Sequence, residues 1–186
     1  MSFSHDTELS LRAVAALVNS ADDDRDTLAD AGALADYLAE WGWTGRHDGD
    51  DAELADVRRL RTRLGDIWAH AGDEEHTVTA VNALLADTDA RPWLTRHAEL
   101  PDWHLHFGDP EDPLAQRMGA EAAMALADVI RAGELRRLRS CAAPDCDAVF
   151  IDLSRNRSRR FCDTGNCGNR LHVAAYRERK NTAAHR

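Results

Sequence analysis

All four cysteines of this 186-residue chain fall within residues 141–167, as two pairs, Cys141 with Cys146 and Cys162 with Cys167. Each pair encloses four residues, and 15 residues separate the pairs. A segment this short cannot bury enough apolar surface to fold on a core of its own. Four thiolates satisfy tetrahedral zinc and leave no open position, so the spacing predicts one structural zinc ion held by Cys141, Cys146, Cys162 and Cys167. A regulatory disulfide pair and unligated thiols are the alternatives. The start, "MSFSHDTELS", has no basic stretch followed by an apolar one, and no apolar run approaches the ~18 residues needed to span a bilayer. A cytoplasmic location is therefore expected, and clustered cysteines there favour metal over a disulfide framework. His172 follows the last cysteine closely, but a four-sulfur site has no vacancy for it.

Charge divides the chain at about the same place. The formal net charge is −10, yet residues 1–134 hold 11 arginines against 28 acidic residues, while residues 135–186 hold 12 basic residues against 5 acidic ones. A sign reversal of this size points to two jobs, and a basic segment is an electrostatic footprint for phosphate, RNA or an acidic partner. Mutual attraction of the two parts is the plainer alternative. The domains are accordingly set at residues 1–134 and 135–186.

Apolar periodicity makes the first part helical. Helices are expected over residues 9–20 (Leu9, Ala13, Ala16 and Leu17 inward), 30–43 up to a stop at Gly42, 51–71 and 75–87. The third of these carries Leu54, Val57, Leu60, Leu64, Ile67 and Trp68 at steps of three or four. Residues 91–110 break the period and read as a β-hairpin around Pro101 and Asp102. Residues 113–133 then read as a buried helix packed on that hairpin and closed by Gly133. In the second part "RRLRSC" and "AVFID" can pair as short strands, and a basic helix follows Cys167. The fold class is α+β, mainly α: a helical domain with a β-hairpin, then a small four-cysteine module of a short β-hairpin plus helix.

Two sets of residues are candidates for contact with other molecules. Arg155, Arg157, Arg159 and Arg160 crowd the segment before the third cysteine, where alternate arginines can bracket a phosphate backbone. Asn169, Arg170, Arg177 and Lys180 lie on the final helix, whose N-terminus itself favours an anion. The alternatives are a solvated loop, an Asn169 that hydrogen-bonds the zinc loop, and an Arg170 paired with Asp163 or Asp147. In the first part His104 and His106 alternate on one strand, so they share a face opposite Trp103, Leu105 and Phe107, and could bind a metal or a small acidic ligand. Satisfied or surface histidines are the plainer reading. The tryptophans at 41, 43, 68, 93 and 103 are core candidates, some of which could line a cavity. No His-Glu-x-x-His or Walker-type sequence occurs, and catalysis has no signature here.

"CGNR" at residues 167–170, closing the second cysteine pair after "DLSRNRSRRFC", resembles the CGNR-type zinc finger. "LVNS" in the first helix and "YLAEWG" in the second resemble the ABATE domain, which accompanies this finger in bacterial proteins described as stress-induced transcription regulators. The resemblance implies a DNA-binding transcription regulator of the stress response, with structural zinc in its finger. Its helical domain would sense a small-molecule effector or mediate homodimerisation, with Asn19, Trp103, His104 and His106 as the candidate effector contacts; for Asn19, at the end of the first helix, the plainer reading is a cap or a backbone hydrogen bond. A zinc-stabilised protein- or RNA-interaction module is the alternative. At the third ligand the chain carries Phe161, Cys162 and Asp163 where the family pattern has Trp, Cys, Ser, which places a carboxylate near any bound phosphate.

Overall fold

The computed structural model describes residues 3–22, 25–97 and 100–184. Four helices lead: α1 (His5–Asn19), α2 (Ala31–Glu40), α3 (Asp51–Ala69) and α4 (Glu74–Asp87), with the two-residue strands β1 (Ala21–Asp22) and β2 (Arg25–Asp26) pairing antiparallel after α1. The longer antiparallel hairpin of β3 (Trp93–His97) and β4 (Leu100–His106) follows, then α5 (Leu114–Arg131). A 3-10 turn (Leu135–Arg137) leads into the antiparallel strands β5 (Leu138–Ser140) and β6 (Val149–Ile151), and α6 (Cys167–Ala184) closes the chain. This is the mainly helical α+β architecture expected.

Helix ends follow from local chemistry. Asp30, Asp50 and Asp73 cap α2, α3 and α4, each carboxylate accepting the amide three residues on. Glu53 reaches back to the amides of Asp48 (2.9 Å) and Gly49 (2.8 Å), so the start of α3 leaves few donors unpaired. At the far ends Gly42 and Gly133 take φ of +67° and +65°, which only glycine adopts without strain. After each, the next amide bonds back across the last turn: Trp43 to Leu38 O and Glu134 to Val129 O.

The six α3 residues predicted inward are all buried, and α5 packs on α4, α1 and α3 rather than chiefly on the hairpin as its sequence suggests. On α1 the buried apolar residues are Leu11, Val14, Ala15 and Leu17 as well as Ala13, whereas Leu9 and Ala16 are only half-buried. A helix wedged against α3, α5 and β6 has no single inward stripe, so a simple period misplaces its register. The hairpin also differs from expectation. His97 pairs with Leu100, which puts Pro101 and Asp102 inside β4 instead of at the turn. Trp93 and Trp103 are 39% and 65% exposed, so of the five tryptophans only Trp68 is fully a core residue.

The small strands decide how the two parts meet. Leu138 of β5 and Val149 and Ile151 of β6 join the hydrophobic core of the helices, while Phe150 between them joins a second cluster with Ala143, Cys162 and Cys167. Successive side chains of a strand point to opposite faces, so β6 serves both cores at once. Two side chains of the helical domain fasten its backbone. The Asn19 amide donates to Val149 O (2.8 Å) and accepts from Val149 N (2.7 Å), and the Trp68 indole N–H donates to Phe150 O (3.4 Å).

Candidate metal centre and its basic surround

The four cysteine sulfurs lie within 4.8 Å of one another. Cys146 Sγ is 3.6 Å from Cys162 Sγ, which is 3.8 Å from Cys167 Sγ. Sulfurs bound at about 2.3 Å to a tetrahedral ion stand about 3.8 Å apart, so the cluster has the dimensions of a zinc site built from four thiolates. The surrounding charges agree. Burial pushes the Cys146 thiol up to about 12 and raises that of Cys167, whereas at Cys141 burial is outweighed by the amides of Cys162 and Ala143, which bring the thiol down to about 7. Packed thiols of this kind cannot all ionise without a cation among them, and a bound dication deprotonates them outright.

The residues around the ligands account for the glycine and the arginine of the Cys-Gly-Asn-Arg sequence. A Cβ on Gly165 would stand 2.9 Å from Cys167 Sγ, and one on Gly168 would meet the Phe161 ring at 3.1 Å. Asn166 takes φ of +48° to turn the chain into α6. Arg170 forks onto the Asp145 carboxylate (2.9 and 3.0 Å) and donates to Cys167 Sγ (3.5 Å), which places a cation against the sulfur cluster. Its partner is thus Asp145, not Asp163 or Asp147. Asn169 is exposed.

The four arginines of residues 155–160 divide into different roles. Arg159 pairs with Asp163 (2.6 Å), donates to Phe161 O and lies 4.9 Å over the Phe150 ring. The Asp163 charge beside the third ligand is thereby offset. Arg157, held at φ of +52°, reaches the buried Glu134 (3.2 Å). Arg155 and Arg160 are exposed with no carboxylate partner among the described residues, as are Arg177 and Lys180 on α6. An open groove of about 380 Å³ beside the start of α6 is lined by Arg159, Arg160, Phe161, Asp163, Asn166 and Asn169.

The loop is organised by residues that composition does not single out. Asp152 is fully buried and accepts from the Ser154 amide (2.9 Å), the Ser154 hydroxyl and the Arg159 amide (3.0 Å), with Arg139 at 3.4 Å. Burial raises its pKa, but these donors together outweigh it and hold the carboxyl below the usual range. Arg139 also donates to Arg157 O (3.2 Å) and Arg159 O (2.8 Å). An Asp-x-Ser sequence is the one local sign of such a turn.

A separate cavity of about 120 Å³ opens in the helical domain between α1, the chain after α2, β4 and α5. His104 and His106 line it together, with Trp41, Trp43, Arg117 and Glu121, and their Nε2 atoms lie 3.1 Å apart. Leu105 and Phe107, expected on the opposite face, line it too. Trp103 does not line it; it faces out with the Arg96 guanidinium 5.0 Å from its ring. Asn19 is likewise elsewhere, its amide engaged on Val149. Arg117 is buried and donates to the carbonyls of Thr44, Arg46 and Asp112. Burial pushes the Glu121 carboxyl up to about 8, with Asp6 adding to the effect and the Phe107 amide and Arg117 opposing it.

Glu121 therefore keeps its proton in the folded chain at pH values where an unfolded chain has lost it. The folded state binds the extra proton, so this group's contribution to stability declines as pH rises from about 4.5 to about 8. Glu121→Gln mimics the protonated form and should remove that part of the decline. Urea midpoints of both proteins across this interval check it.

The architecture and the sulfur cluster together define a helical domain carrying a C-terminal four-cysteine zinc-binding module. Residues 11–133 match the ABATE family model, described as a putative stress-induced transcription regulator, and the chain belongs to that family. Residues 137–180 match the CGNR zinc finger. None of the curated proteins compared with the chain matches it. The families are of regulator and zinc-finger type rather than enzymatic. The four cysteines fit one structural zinc ion. Among the described residues no helix is long and apolar enough to cross a membrane.

Proposed function

We propose that the chain is a DNA-binding transcription regulator whose zinc-fixed finger presents positive charge to the phosphate backbone. The observation that carries this reading is the division among the arginines. Arg157, Arg159 and Arg170 are each engaged with a carboxylate, whereas Arg155, Arg160, Arg177 and Lys180 are exposed on the unit that the metal makes rigid. Cations fixed in one geometry release counterions together, which a duplex rewards with affinity that falls steeply with salt. Asn169, exposed in the first turn of α6, would be the residue to approach a base edge. The cavity of the helical domain would take a small polar effector, read by His104, His106 and Arg117 around a neutral Glu121.

Selection and sequencing of genomic duplex fragments on the zinc-loaded chain, with a chelated control, tests the reading. A shared motif lost on chelation supports it. Enrichment of RNA or of a protein instead would move the finger to an interaction module. Within this reading Arg160→Ala and Arg177→Ala should each keep zinc, weaken duplex binding severalfold and lower the salt slope by about 1. Arg170→Ala should instead reduce zinc retention, since its guanidinium sits on Cys167 Sγ.

A further inference from the structure

We infer a second metal site, formed by Asp66 and His70 at the end of α3 and His76 in the first turn of α4, for a divalent transition cation such as Zn²⁺. Each of the three offers one ligand atom, and these atoms all lie within 4.8 Å of one another. Asp66 Oδ2 is 2.9 Å from His76 Nε2, and His70 Nδ1 stands 3.1 Å from Asp66 Oδ1 and 2.9 Å from the Asp66 carbonyl O, a bond that a metal would have to displace. The two imidazoles stack with centroids 4.1 Å apart and planes 30° apart, so both present a nitrogen to the same carboxylate. Two imidazoles and a carboxylate are the donor set that borderline cations take, with remaining positions open to water.

The backbone holds these donors where they are. Asp66 and His70 are one helical turn apart, which puts them on one face of α3. The loop between the helices is tied across itself: the Asp73 amide donates to His70 O (2.8 Å), the Thr77 hydroxyl donates to the same oxygen (3.1 Å), and the His76 amide donates to Asp73 Oδ1 (3.1 Å). His70 and His76 therefore meet across a loop whose two sides are bonded to each other. All three side chains are 38–50% exposed, so a cation has direct access from solvent. The site lies two residues from Trp68, whose indole fastens β6, and is separate in sequence and chemistry from the cysteine cluster.

Metal content of the full chain, equilibrated at about 10 μM free zinc, distinguishes this site from a plain pair of imidazole–carboxylate ion pairs. Two ions per chain are expected for the native sequence. His70→Ala/His76→Ala should keep one, in the cysteine cluster, and Cys162→Ser should keep the other. Loading with Co²⁺ gives a second readout: the ion lost in the double histidine variant should lack the thiolate charge-transfer absorption of the cysteine-bound one. A single ion in the native chain, or a second ion that survives the double histidine substitution, overturns the site. Failure of the cysteine assignment would read differently, as an unchanged zinc content in Cys162→Ser with the histidines intact.

Discussion

Cys162→Ser should empty the cysteine cluster of zinc and release α6 and the loop before it, while β5 and β6 stay docked on the helices. Each piece responds according to the core that holds it. Among the described residues the second cluster buries Ala143, Phe150, Cys162 and Cys167, with Cys141, Cys146, Ala148, Phe161 and Leu171 partly buried beside them. So few apolar groups cannot offset the entropy of ordering residues 152–180, and the metal has to supply the difference, of order 10 kcal/mol for structural zinc. Leu138, Val149 and Ile151 belong instead to the core of the helical domain, and Val149 is bonded twice by Asn19. Amide exchange should accordingly become fast in α6 and stay slow in β6, with zinc content falling to zero at the cluster. Equal exchange in both segments would mean that the strands depend on the metal as much as the helix does.

The same division explains what can be read from residue order alone. The cysteine spacing, the α3 stripe and the Gly42 and Gly133 stops are local signals, each needing only neighbours within a turn or two of chain, and each stands in the structure as expected. Asn19 shows the opposite case. Its partner is 130 residues away, and a helix-terminal asparagine looks the same whether it caps its own helix or grips a distant strand. Trp103 defeats a sequence reading for a related reason. Alternation assigns two faces to a strand but does not say which face has something to pack against, and here the outward face of the β3–β4 hairpin is open. The arginines of residues 155–160 look equivalent in sequence because composition counts charges; their division into bonded and exposed members depends on Glu134 reaching Arg157 and Asp163 reaching Arg159 in space.

Glu134→Ala should destabilise the chain by about 3 kcal/mol or more, an effect of the size seen when one partner of a buried ion pair is removed. Glu134 lies between the two family matches, a position where a tolerant linker would be the ordinary expectation. Its carboxylate is buried instead, bonded to the buried Arg137 at 3.0 Å and joined by Arg157 at 3.2 Å. Arg137 in turn donates to Asp152 O (2.6 Å) and Ser154 O (3.0 Å), so one guanidinium ties the end of the helical domain to the start of the basic loop. Deleting the carboxylate leaves that guanidinium buried with carbonyl partners alone, and frees Arg157 from its anchor. Urea unfolding should show the loss at unchanged zinc content, and Glu134→Gln, which keeps an acceptor but not the charge, should lose less. A shift of only a few tenths of a kcal/mol would mean that the carbonyls already satisfy Arg137. A full loss would make Glu134 the strut through which the helical domain sets the position of the finger's basic loop.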